Sequence, residues 1–181
     1  MSDRRPVLHP DIAHLAPLLG TWRGRGQGSY PTIESFGYVE EVTFGHVGKP
    51  FLAYTQKTRH AETELPLHAE AGYLRPVGTD RVELVLVQPS GIVELHEGTV
   101  ASGSSDGTTA GLVIDLESTH VLTTATAKDA TAVARSITIA DRTTESDRQA
   151  TELRYRLSMA AVGLELQHHL AATLHKVSPE D

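Results

Sequence analysis

The side chains best suited to chemistry in this sequence are histidines, of which there are ten among 181 residues. Imidazole binds metals and exchanges protons near neutral pH, so each position must be weighed separately. Two of them, His168 and His169, are adjacent in the run formed by residues 164–177. On a strand, adjacent side chains point to opposite faces, so this pair is poorly placed to share a zinc ion.

Periodicity alone leaves the conformation of residues 164–177 open. A period of two places His169 on one face with Ala171 and Thr173. A helical period instead aligns Leu166, Leu170 and Leu174 in one stripe.

The remaining histidines divide by their surroundings. His68 starts a predicted strand and could face a pocket, whereas His46 precedes a glycine turn and is predicted to be a turn residue. Five others lie near turns or polar runs and are predicted to be solvent-exposed: His9, His14, His60, His96 and His120. No G-x-S-x-G nucleophile motif and no phosphate-binding loop accompanies them.

Composition narrows the class of protein. The formal net charge of −7 argues against a general nucleic-acid binder, which would usually be basic. The absence of cysteine excludes disulfides, thiolate chemistry and Fe–S clusters, and is compatible with a reducing cytoplasm. Residues 1–10 lack the apolar core of a secretory signal, and no apolar run is long enough for a transmembrane helix. We therefore expect a cytoplasmic protein that does not associate with membranes.

The elements that must position these side chains are mostly strands. Residues 11–19 show helical spacing of leucine and isoleucine, with Asp11 as the predicted N-cap and Pro17 limiting the length. From residue 20 onward the period is two, most clearly where Leu153, Tyr155 and Leu157 alternate with charged residues.

Many short strands separated by turn residues predict an all-β fold, an antiparallel up-and-down barrel that leaves no exposed edge. We expect one barrel domain over residues 11–178, preceded by a flexible terminus of residues 1–10. The polar stretch 101–110 is predicted to be a hairpin loop that does not affect a site.

A glycine-rich segment begins the first strand. Gly20, Gly24 and Gly26 flank Trp22, the only tryptophan, and leave one strand face almost without side chains. Such a face allows close backbone approach or a sharp bend, as at a barrel corner. We interpret Trp22 as a plug that closes the barrel floor.

Several motifs in one order resemble the nitrobindin family. They are Gly20-x-Trp22-x-Gly24-x-Gly26, Tyr30-Pro31-Thr32-Ile33, Tyr38-x-Glu40-Glu41-Val42, His46-Val47-Gly48-Lys49-Pro50, Pro66-Leu67-His68-x-Glu70-x-Gly72-Tyr73 and Gln167-His168-His169-Leu170. The resemblance covers nearly the whole chain and is strongest to actinobacterial members. It implies a fatty-acid-binding-protein-like barrel of about ten strands, one haem b per chain, and isomerisation of peroxynitrite to nitrate at ferric iron. It also implies binding of nitric oxide.

The resemblance implies a role for particular residues. His169 corresponds to the proximal ligand of the haem iron, on which catalysis depends. Lys128 corresponds to a residue near a haem propionate, and Thr32 to a haem contact. Leu67 and His68 correspond to the lining of the distal side.

Two other functions remain open at this point. A haem or nitric oxide sensor or scavenger would bind the same ligands without turnover. A lipid or fatty-acid carrier would need a cation deep in the barrel, and the alternation places no arginine or lysine clearly inward, since Arg154 and Arg156 lie on the polar face. An exposed sheet face could support a homodimer, although the sequence shows no clear apolar patch.

Overall fold

The structure, a computed structural model, describes residues 6–102, 110–143 and 149–177. Most of the predicted loop 101–110, and the first half of the predicted flexible terminus, lie outside the described residues. A helix of the 3-10 type, Pro10–Leu18, precedes ten strands. The strands are β1 Gly20–Tyr30, β2 Ile33–Gly45, β3 Leu52–His60, β4 Pro66–Val77, β5 Arg81–Val87, β6 Ile92–Ala101, β7 Ala110–Thr123, β8 Ala130–Thr143, β9 Gln149–Ala161 and β10 Gln167–Lys176.

The ten strands form a closed antiparallel barrel, which confirms the predicted fold. Each strand pairs with its neighbours in the sequence, and β1 pairs with both β2 and β10 to close the sheet. The alternating apolar residues predicted on β9 do face the core, where Leu153, Tyr155 and Leu157 are buried. The turns that follow the odd-numbered strands all lie at one end of the barrel, which we call the mouth.

The N-terminal helix begins earlier than predicted, because its cap is His9, two residues before the predicted cap Asp11. The backbone N–H of Asp11 donates a hydrogen bond of 3.3 Å to Nδ1 of His9. Pro10 takes the first helical position, where its missing N–H costs nothing and its fixed φ suits a helix. Within the described part of the chain, no helix is long and apolar enough to cross a membrane.

The helix and Trp22 fill the end of the barrel opposite the mouth. Ile12, Leu15 and Leu18 are fully buried, and the indole N–H of Trp22 donates to the carbonyl of Leu18 at 2.8 Å. The indole itself is fully buried. A single side chain thus ties the helix to the first strand.

The inward glycines of β1 make room for neighbouring side chains. A Cβ added at Gly26 would lie 2.2 Å from the ring of Tyr38, and one at Gly24 would lie 2.1 Å from the carbonyl oxygen of Thr173. Neither the backbone of Thr173 nor the buried ring of Tyr38 can move far enough to accommodate the added atom. The bare face expected from the sequence is therefore a requirement of packing between β1, β2 and β10.

Trp22→Ala is expected to lower the free energy of unfolding by about 3–5 kcal/mol, because it removes a fully buried indole and its hydrogen bond to the helix. Denaturant unfolding followed by circular dichroism measures this. The control is Val47→Ala at an exposed apolar residue, with an expected change within about 0.5 kcal/mol. Equal stability of the Trp22 variant and the wild type would show that Trp22 does not stabilise the end of the barrel opposite the mouth.

Candidate functional site

A cavity of about 450 Å³ opens at the mouth of the barrel, within the usual range for ligand pockets, roughly 300–1,000 Å³. Its wall is largely apolar and includes Phe36, Val133, Leu157, Met159 and Leu170. Its inner end is polar. A cavity with this division can hold a ligand that is mostly apolar and carries a few polar groups.

His169 reaches the cavity because of a β-bulge. The register of β10 with β9 runs from His168 opposite Ser158 to Leu170 opposite Leu157, so His169 is the extra residue. Strict alternation with the buried residues Ala172 and Leu174 would turn His168 inward and His169 outward. The bulge reverses this order, so His168 is exposed, whereas His169 and Leu170 both line the cavity.

The imidazole of His169 is fixed in one tautomer. Its Nδ1 lies 3.0 Å from the carbonyl oxygen of Ser29, which can only accept, so Nδ1 carries the proton. The ring edge also packs against Tyr30, with the ring centroids 5.3 Å apart. The lone pair of the neutral ring is therefore on Nε2, and burial lowers the pKa of His169 below its ordinary value. A half-buried, neutral, oriented imidazole is suited to bind a metal ion.

The other residues singled out by the resemblance lie around the mouth. Leu67, His68 and Lys128 line the cavity, with Lys128 exposed in the loop between β7 and β8. Thr32 is exposed in the turn between β1 and β2 and does not line the cavity, although its neighbour Ile33 does. The structure thus brings four of the five predicted contacts together, His169 included.

The inner end of the cavity contains a buried guanidinium bound by two carboxylates. We call Glu70, Glu94 and Arg135 the charged floor. Both terminal nitrogens of Arg135 contact Glu70, at 2.7 and 3.0 Å, and one of them also contacts Glu94 at 2.9 Å. All three residues are almost fully buried. The expectation that no cation lies inward was therefore wrong, because Arg135 continues the inward alternation of Val133, Ile137 and Ile139.

The charges of the floor stabilise one another. Burial alone would raise the pKa of Glu70 and of Glu94, but the charge and hydrogen bonds of Arg135, together with a hydrogen bond from His68 or His96, hold both pKa values below the ordinary range. Burial would likewise lower the pKa of Arg135, whereas the two carboxylates hold that pKa well above its ordinary value. The floor therefore holds two ionised carboxylates and one guanidinium at neutral pH.

Each carboxylate of the floor also contacts a histidine two residues away on the same strand. Nε2 of His68 lies 3.5 Å from Glu70, and Nε2 of His96 lies 2.8 Å from Glu94. The prediction that His96 is solvent-exposed was wrong: its side chain is fully buried. His68 remains partly exposed to the cavity.

A third carboxyl, Glu40, lies deeper in the barrel. It accepts a hydrogen bond from Gln56, and burial raises its pKa to about 7. Among the described residues, its second oxygen has no hydrogen-bond partner. Glu40 makes no hydrogen bond to Arg135 within that part of the chain, so it is not part of the charged floor.

The described residues contain no group of three side chains that could hold a metal ion by themselves. A metal bound at this cavity would have His169 as its protein ligand and the remaining ligands from a cofactor. One histidine on one side of a planar tetrapyrrole is a common haem arrangement. The cavity volume, its apolar wall and the lone pair on Nε2 of His169 all fit haem.

A second concave surface, of about 650 Å³, lies on the outside of the barrel. Its lining includes outward-facing charged side chains such as Glu97, Asp115 and Arg156. It is broad and open and includes none of the predicted site residues. The interior cavity is therefore the candidate site.

The known proteins that are similar to this chain include a haem-binding family, which agrees with a cavity that fits haem. The model of the family described as "THAP4-like, heme-binding beta-barrel domain" matches residues 11–176. A protein of Nocardia farcinica named peroxynitrite isomerase is 54% identical over 172 residues, which covers 94% of this chain and 93% of the relative. Peroxynitrite isomerase 1 of Mycolicibacterium paratuberculosis is 53% identical and covers 93% of this chain and 96% of the relative. The crystal structure of Rv2717c from M. tuberculosis aligns with a TM-score of 0.80 at 47% identity, covering 95% of this chain and all of that one.

Proposed function

Since the chain belongs to the family of THAP4-like, haem-binding β-barrel domains, we propose that it binds one haem b and isomerises peroxynitrite to nitrate. The observation that carries the proposal is His169, turned into the cavity by a bulge and held by Ser29 with its Nε2 lone pair free for a metal. Relatives that are about half identical over most of their length bear the name of this activity.

In the proposed complex, Nε2 of His169 would bind the haem iron. The carbonyl of Ser29 keeps the proton on Nδ1, which fixes the ring orientation and makes Nε2 more basic. Bound haem would supply a ferric Lewis acid with a position open to a small anion. The apolar side chains of Val133, Leu157 and Met159, which line the cavity, would help to exclude water from the bound haem. We propose that nitric oxide binds at the same position.

The other residues at the mouth would hold the ligand without taking part in the reaction. We propose that Lys128 pairs with a propionate, because its ammonium is exposed at the rim of the cavity. Thr32, in the turn beside Ile33, would be a further contact at the rim. Leu67 and His68 would line the distal side, with His68 held through its contact with Glu70.

Titration of the full chain with hemin tests the cofactor. We expect a Soret band that saturates at one equivalent and carries the signature of a single histidine ligand. A chain that develops no Soret band, or that copurifies with lipid and excludes hemin, would overturn the proposal in favour of a carrier. A sensor or scavenger would give the same spectrum, and the yield of nitrate separates it from an isomerase.

Lys128→Ala is expected to speed haem loss about two- to fivefold, the effect of removing one exposed ion pair. Transfer of haem to excess apomyoglobin, followed by absorbance, measures the rate. Nitrate formed per bound haem should stay unchanged, because Lys128 would not contact the reacting atoms. The control is Lys49→Ala, at an exposed lysine beyond the opposite end of the barrel. Equal rates for the two variants would exclude Lys128 as a haem contact.

We also propose that the protein acts in the cytoplasm and can form a homodimer. The outer faces of β4, β5 and β6 place Tyr73, Val85 and Leu95 side by side. Tyr73 is 52% exposed, and Val87 beside this row is 51% exposed. The structure thus has an apolar outer surface where the sequence showed no clear patch, and such a surface favours association.

A further inference from the structure

The charged floor has a feature that haem binding alone does not explain, since two carboxylates share a single guanidinium. We propose that Glu70 and Glu94 determine the specificity of the cavity by excluding ligands whose carboxylate would bind at its inner end. Arg135 is the cation that a fatty-acid carrier of this shape would use, and here both of its terminal nitrogens are already bound.

The contacts of Arg135 leave no bidentate site for a ligand. A guanidinium binds a carboxylate most strongly through two parallel N–H···O bonds. Glu70 takes this arrangement, with Oε1 at 2.7 Å and Oε2 at 3.0 Å from the two terminal nitrogens. Glu94 then occupies one of those nitrogens from a second direction, at 2.9 Å. Of the guanidinium nitrogens of Arg135, only the buried Nε has no hydrogen-bond partner among the described residues. An incoming carboxylate could take one hydrogen bond there, but to bind through two bonds it would have to displace a protein carboxylate.

The net charge of the floor adds repulsion to this occupation. Two ionised carboxylates against one guanidinium leave a formal charge of −1 in a buried setting, where charges interact strongly. The groups that face these carboxylates are hydrogen-bond donors that hold them in place: Tyr54 and His68 on Glu70, and Gln88 and His96 on Glu94. Within the described part of the chain, a third carboxylate at the inner end would meet no cation that lacks a carboxylate partner.

The same arrangement would orient a ligand that has an apolar body and acidic groups. Its acidic groups would lie at the mouth, where Lys128 is exposed, and its apolar part would face the wall. For haem this orientation rests on the proposed function. The exclusion of carboxylates does not, because it depends only on residues of the barrel.

The test uses the haem-free full chain and a pair of probes, a fluorescent 18-carbon polyene fatty acid and its methyl ester. Wild type should bind the acid no more tightly than the ester. The variant Glu70→Gln/Glu94→Gln changes the formal charge of the floor from −1 to +1, and it should bind the acid about tenfold more tightly than the ester, the effect of one charge-assisted hydrogen bond. Glu40→Gln is the matched control, a buried carboxyl outside the floor, and should behave as wild type.

Two results would overturn the proposal. One is a preference of wild type for the acid over the ester of tenfold or more. The other is a folded double variant that binds acid and ester equally. If the double variant does not fold, Glu70→Gln alone decides, because it removes the charge and the two-bond arrangement through which Glu70 binds both terminal nitrogens of Arg135. A severalfold preference for the acid supports the proposal, and no preference contradicts it. None of these measurements involves haem, so a failure of the haem proposal would not change their outcome.

Discussion

His169→Ala is expected to weaken haem binding by about 100-fold or more, because it removes the only protein ligand proposed for the iron. Hemin added to this variant should give the spectrum of weakly associated haem instead of a histidine complex. The loss should also remove any catalysed conversion of peroxynitrite. Titration with hemin, followed by absorbance, measures the affinity directly.

The matched control is His168→Ala. The bulge in β10 leaves His168 exposed on the outside of the barrel, so its removal should leave the affinity and the spectrum nearly unchanged. The opposite result, with haem lost from the His168 variant and kept by the His169 variant, would mean that β10 runs without the bulge and that His168 is the ligand.

Arg135→Met is expected to lower the free energy of unfolding by about 3–5 kcal/mol at neutral pH, the usual effect of leaving buried charges without their partner. Both Glu70 and Glu94 are almost fully buried and would keep no cationic partner from β8. Urea unfolding of the haem-free chain measures the change. A variant as stable as wild type at neutral pH would show that the charged floor does not depend on Arg135.

The loss of stability caused by Arg135→Met is expected to depend on pH. In wild type, Arg135 keeps the pKa values of both carboxyls below their ordinary range, so their contribution to stability is present above the unfolded pKa and is lost as the pH falls. Without Arg135, burial raises the pKa values of Glu70 and Glu94. Lowering the pH protonates both carboxylates, which should make the variant more stable than it is at neutral pH. The difference between the two proteins should therefore shrink on acidification. Arg135→Met/Glu70→Gln/Glu94→Gln should recover most of the stability at neutral pH, since no buried charge is left on the floor.

The barrel could be predicted from the sequence because alternation shows which side chains face the core of a strand. On β9, Leu153, Tyr155 and Leu157 alternate with polar residues and are buried as expected. Closure of the sheet into a barrel could be predicted because a series of short antiparallel strands would otherwise leave unpaired edge strands exposed. The cap of the helix lies two residues before the predicted Asp11, because Pro10 belongs to the first turn of the helix and not to the terminus.

The position of His169 could not be predicted from alternation. With Ala172 and Leu174 inward, a regular strand would turn His168 into the barrel. Only the resemblance of Gln167-His168-His169-Leu170 to a family motif selected the second histidine. A bulge is set by backbone pairing between two strands, and the residues of one strand do not reveal it.

The charged floor was missed although part of its signal was present. Arg135 lies two residues from Val133 and two from Ile137, and Glu94 lies two residues from His96, so parity alone placed these side chains on common faces. Parity does not give the partner across the barrel, however. Arg135 meets Glu70 and Glu94 over separations of 65 and 41 residues. An isolated strand with an inward charge looks unfavourable until the opposite strands supply its counter-charge.

The measurement that tests the central claim most directly is rapid mixing of peroxynitrite with the haem-loaded protein, in which both the decay rate and the final nitrate yield are determined. We predict faster decay and a higher nitrate yield with wild type and with His168→Ala, and buffer values for both quantities with His169→Ala. If haem-loaded wild type leaves both the decay rate and the nitrate yield at buffer values, the protein is not a peroxynitrite isomerase, and a haem sensor or scavenger takes its place.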